Sequence, residues 1–73
     1  MNDQHVKEIL SIAQSILDEI GGGAHATRAL LLQEGVGICI KVSETMWTDR
    51  QLMEGLSQKI QAIKGVSAVY VEI

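Results

Sequence analysis

Along this chain the apolar residues switch period, from helical to alternating, back to helical and to alternating again, and that order leaves few folds open. Val6, Ile9, Leu10, Ala13, Ile16, Leu17 and Ile20 recur at spacings of three and four, the stripe of an amphipathic helix with Asn2 or Asp3 placed to cap its start. Lys7, Glu8, Ser11, Gln14, Ser15 and Asp18 form its outer face. Gly21-Gly22-Gly23 ends it, because glycine enters the left-handed region at a helix C-terminus without a Cβ penalty.

Ala26 to Leu32 and Val36 to Val42 then read as two strands joined by Gln33-Glu34-Gly35, a hairpin by length and composition. In the second strand Val36, Ile38, Ile40 and Val42 share one face, which is core, while Gly37, Cys39, Lys41 and Ser43 share the other, which is small or polar. Thr48 with Gln51 makes a capping-box pattern, and Leu52, Met53, Leu56, Ile60 and Ile63 give the stripe of a second helix that Lys64-Gly65 stops. From Val66 to Ile73, Val69, Val71 and Ile73 alternate with Ala68, Tyr70 and Glu72 as a last strand.

The order α-β-β-α-β places the chain in the α+β class, as a single domain over residues 1–73. Two amphipathic helices cover only one face of a three-stranded sheet, giving a two-layer sandwich with a right-handed crossover from the second strand to the third. The arrangement resembles the ferredoxin-like folds. Gly37, Cys39, Lys41, Ala68, Tyr70 and Glu72 fall on the opposite sheet face, which is either solvated or meets a partner.

A chain of 73 residues buries only about 60% of the surface its unfolded state exposes, so a small domain of this kind usually adds a disulfide, a metal or a partner subunit. Cys39 is the only cysteine, which rules out an internal disulfide and fits a reducing compartment. With no proline or phenylalanine and 47% apolar residues, the core is aliphatic. A net charge of −3 and a pI near 5.1 supply no basic footprint for nucleic acid. No apolar run approaches the ~18 residues of a membrane span, and MNDQHVKE lacks the features of a secretory signal, so a cytoplasmic location and no membrane insertion are expected.

A metal site needs several converging ligands, and the chain offers His5, His25 and Cys39 without CxxC, HxxxH or HExxH; His25 and Cys39 are the residues from which one would have to be built. His5 belongs to the first helical turn and His25 to the loop before a strand, both on the surface. A cysteine nucleophile needs a base and an electropositive setting, whereas Cys39 sits mid-strand between Ile38 and Ile40 and reads as packing or sheet surface. The three glycines follow a helix and precede a strand, the reverse of a phosphate-binding loop. Asp18 and Glu19 point to different sides of their helix, and Glu44 and Asp49 flank a loop without an acid–base partner. The chain is therefore expected to have no catalytic residues and no cofactor. Met46-Trp47 stands out as two large side chains in the loop before the second helix, where Trp47 has two roles open to it, stapling that helix to the core or anchoring a partner.

Two families share this order and a closing strand like Lys64-Gly65-Val66-Ser67-Ala68-Val69-Tyr70-Val71-Glu72. His25-Ala26-Thr27-Arg28 resembles the His-x-x-Arg segment that enters the first strand in the cytoplasmic C-terminal domain of cation diffusion facilitators. That family places metal ligands at positions held here by Tyr70 and, near the start of the second helix, by Leu52. The stretch from Trp47 to Ile73 is similar to the small iron–sulfur assembly domains of the NifU C-terminal type, with Met46-Trp47 where those carry a cysteine motif. With the half-covered sheet and the small size, the first resemblance points to a non-enzymatic, homodimeric interaction or regulatory module without metal ligands; Cys39, Lys41 and Tyr70 on the outer sheet face and Trp47 before the second helix are its expected interface residues. The second implies an accessory protein of iron–sulfur or metal-cofactor assembly, using Cys39 as ligand or thiol.

Overall fold

In the computed structural model, which describes residues 3–73, six elements follow one another: α1 (Asp3–Ile20), β1 (His25–Leu31), β2 (Val36–Lys41), α2 (Glu44–Thr48), α3 (Arg50–Gln61) and β3 (Val66–Glu72). The first stripe folds as spaced, with Ile9, Ala13 and Leu17 buried and Lys7, Glu8, Ser11, Ser15 and Asp18 exposed. Of the two cap candidates, Asp3 is the first residue of α1 and Asn2 lies outside the described residues. At the other end the Gly21 N–H donates to the Leu17 carbonyl at 3.0 Å. Gly22, at φ +81°, passes so close to α2 that a Cβ there would lie 2.7 Å from the Met46 sulfur.

The sheet order is β1-β2-β3, with β1 antiparallel and β3 parallel to the central β2. Gln33 and Glu34 form the hairpin turn, closed by backbone bonds between Leu32 and Gly35 at 2.8 and 3.4 Å. Gly35 is required there: its φ is +153°, and a Cβ would stand 2.7 Å from the carbonyl oxygen of Gly65. The same carbonyl accepts the Val36 N–H at 2.8 Å, so the hairpin is pinned by backbone to the corner between α3 and β3.

The crossover differs from the single helix expected from Thr48 onward. Ser43 caps α2, its hydroxyl accepting from the Met46 N–H at 3.2 Å, and Asp49 caps α3, its carboxylate accepting from the Leu52 N–H at 3.2 Å. Thr48 does not cap; its hydroxyl donates to the Thr45 carbonyl at 2.9 Å. Serine and aspartate cap as well as threonine does, and Asp49, extended at φ −88° and ψ 94°, breaks the run into two helices. Met46 is corrected by the same change, since it is not a loop residue at the surface but is 4% exposed in the core.

Helices α1 and α3 pack on the face of the sheet formed by Val36, Ile38 and Ile40, joined there by Leu56, Ile60 and Met46. No polar or charged side chain is buried among the described residues. Val69 and Val71 pack against this core as their alternation requires, whereas Ile73 lies past the end of β3 and is exposed.

Urea denaturation should rank these contacts. Ile38→Ala is expected to lose about 2–5 kcal/mol, the range for truncating a fully buried aliphatic chain. Gly35→Ala is expected to lose about 1–3 kcal/mol through the forced clash with Gly65. Ile12→Ala, on the exposed side of α1, should stay within about 0.5 kcal/mol of the parent.

Candidate functional site

Across the outer face of the sheet, away from the helices, the register sets up three rows. Leu30, Gly37 and Ala68 form the first, Arg28, Cys39 and Tyr70 the second, and His25, Lys41 and Glu72 the third. His25 and Arg28 share this face although they are three residues apart, because β1 bulges at Thr27: Ala26 pairs with Ile40 and Arg28 with Cys39, leaving Thr27 as the extra residue. The Thr27 hydroxyl donates to the Cys39 carbonyl at 3.2 Å. On the far edge of β1 the Ala26 N–H donates to the Gln14 side-chain oxygen at 3.0 Å, tying the strand to α1.

The middle of this face, small or polar by its sequence, is covered by the chain itself. Tyr70 folds its ring over Gly37, where a Cβ would come 2.8 Å from the ring edge and 3.1 Å from a Leu32 methyl. Glycine opens the space, and the aromatic ring on the neighbouring strand fills it. Gly37 and Cys39 are consequently buried from both sides, Cys39 at 8% exposure, without any helix above them. A shallow pocket of about 280 Å³ remains beside the thiol, lined by Arg28, Leu30, Cys39, Tyr70, Val71 and Glu72.

Trp47 lies elsewhere. It borders a groove of about 490 Å³ on the helical side, between α3 and β3, together with Met53, Glu54, Ser57, Gln58, Val69 and Val71. The four interface candidates therefore divide, with Cys39, Lys41 and Tyr70 on the outer face and Trp47 across β3 from them. Sequence reasoning did not single out Arg28, Val69 or Val71 for either surface; the only hint was Thr27-Arg28, a polar pair interrupting the alternation of β1.

The groups that could carry chemistry are occupied structurally or dispersed. Asp49 caps α3, Asp18 accepts from the Gln14 amide at 2.9 Å, and the His25 ring nitrogen Nδ1 lies 3.3 Å from the Gly23 carbonyl oxygen. Among the described residues no three His, Cys, Asp or Glu side chains gather to hold a metal. None of the helices described is long and apolar enough to cross a membrane.

The covered thiol gives a direct check on the outer face. Cys39 should react with an aromatic disulfide reagent roughly tenfold or more slowly in the native protein than in urea, and Gly37→Ala, by displacing the Tyr70 ring, should raise the native rate. No protein-family model, curated protein or solved structure matches the chain.

Proposed function

We propose that this chain is a non-enzymatic interaction or regulatory module that works as a homodimer in the cytoplasm. In this reading it is a ferredoxin-like sandwich akin to the cytoplasmic domain of a metal transporter, without that domain's metal ligands. The observation that carries the proposal is where the aromatic residues sit. The chain has one tryptophan and one tyrosine and no phenylalanine, and both aromatics are about half exposed, Trp47 at 49% and Tyr70 at 45%.

A small domain with an aliphatic core gains most by burying its largest rings, and this one leaves them at the surface on either side of a single strand. Aromatic side chains in that position are the ones that anchor protein interfaces. The half-covered sheet agrees with this, because the helices protect one face only. The use of the Asp49 carboxylate as a helix cap and the separation of His5 and His25 in the sequence favour binding over catalysis.

Size-exclusion chromatography with light scattering, from low to high micromolar protein, is expected to give the mass of two chains. Trp47→Ala should raise the dimer dissociation constant by about tenfold to thirtyfold, the loss of an interface anchor. A monomer at high micromolar concentration would overturn the proposal.

A further inference from the structure

We infer that the dimer forms edge to edge through β3, two copies pairing antiparallel across a two-fold axis at Tyr70 to make one continuous six-stranded sheet. This rests on the homodimer reading above and adds the surface, the partner and the register.

The sheet has two edges, and they are built differently. β1 is defended: it bulges at Thr27, carries Arg28 near its middle and has its Ala26 N–H already bonded to Gln14 of α1. A two-fold pairing of β1 centred there would also set Arg28 against itself, a like-charge pair. β3 is less defended: its register with β2 shifts only at its start, between Val66 and Ala68. Its seven residues, Val66–Glu72, include no lysine, arginine or proline, and from Ala68 onward its register with β2 is unbroken.

Backbone direction selects the register. The Val42 N–H donates to the Glu72 carbonyl, so the even-numbered residues of β3 turn their backbone groups toward β2. Val69 and Val71 therefore turn theirs to the open edge. Placing Val69 of one copy opposite Val71 of the other joins those groups twice, and brings Tyr70 opposite its own copy in the closely spaced, non-hydrogen-bonded position. Glu72 then faces Ala68 of the copy, and the acidic end of each strand points toward the end of the other that Lys64 precedes. Parallel pairing would instead stack Glu72 on Glu72.

The side chains agree on both faces of the seam. On the outer face the two Tyr70 rings meet, each already seated over Gly37. On the inner face Val69 and Val71, only half-buried in the single chain, continue the aliphatic core into the copy across the groove that Trp47 and Met53 border. Among the described residues Glu54 is the single charged residue lining that groove, whose other members are apolar or neutral. One strand edge thus uses both exposed aromatics, which the separate surfaces could not do.

Disulfide trapping with light scattering tests the arrangement. In a Cys39→Ala background, Tyr70→Cys should give a covalent dimer on mild oxidation, since non-hydrogen-bonded cross-strand Cα atoms lie about 4.5 Å apart, within disulfide reach. Arg28→Cys in the same background should not. Val71→Pro removes an N–H that points away from β2, so it should keep the circular dichroism of the parent while becoming a monomer. A parent dimer in which Tyr70→Cys fails to cross-link and Val71→Pro still dimerises overturns the edge pairing but leaves the homodimer reading intact. Cross-linking through Arg28→Cys instead would move the seam to β1, and a monomeric parent would overturn both readings.

Discussion

A strand buried on both faces has to present different side chains to each, and β2 does so within six residues. Val36, Ile38 and Ile40 meet the helices, while Gly37 and Cys39, both small, let the opposite face close without a second helical layer. The rest of the molecule is arranged around that asymmetry. α1 and α3 bring their stripes to the branched side, and β1 and β3 bracket the strand so that Tyr70 reaches the glycine from one flank and Leu32 from the other. Larger residues at positions 37 and 39 would lift the ring off the sheet, and the lower layer would be lost.

The core achieves its packing entirely with aliphatic and sulfur-containing side chains. Met46 is the adaptable member. It fills the space beneath the glycine link between α1 and β1, where its unbranched thioether can follow a backbone that passes within contact distance. This explains why a short helix stands where a loop was expected: α2 is the means by which Met46 turns inward while the adjacent Trp47 stays at the surface.

Much of this was legible in the sequence. Helical spacing identified α1, the glycines and the turn residues bracketed β1, and alternation identified β2 and β3 and assigned the core face of β2 correctly. The start of α3 was misread because Ser43, Thr48 and Asp49 are all competent caps, and local chemistry does not rank them; the extended backbone at Asp49 does. The Thr27 bulge left only a polar interruption in β1, too small to show that the strand changes phase there. Alternation also says which face a residue takes but not what lies above it, so the covering of Cys39 by its neighbours was invisible. Trp47 was left with two roles open, staple or anchor, and Tyr70 was assigned only to the outer sheet face; their placement on opposite sides of one strand depends on tertiary packing.

The backbone contact between the hairpin turn and the corner before β3 bears on how the chain can reach this state. The Val36 N–H is bonded to the carbonyl of Gly65, which lies beyond both crossover helices, and that same carbonyl leaves no room for a Cβ at Gly35. The hairpin is local and quick to form, closed by its own bonds between Leu32 and Gly35, but the Val36 N–H gains its partner only when the distant corner arrives. Neither half of the sequence therefore contains a complete set of partners. The shared carbonyl couples the two halves of this small domain, and truncation at any point between Val36 and Gly65 would leave the Val36 N–H without the partner it has in the folded chain.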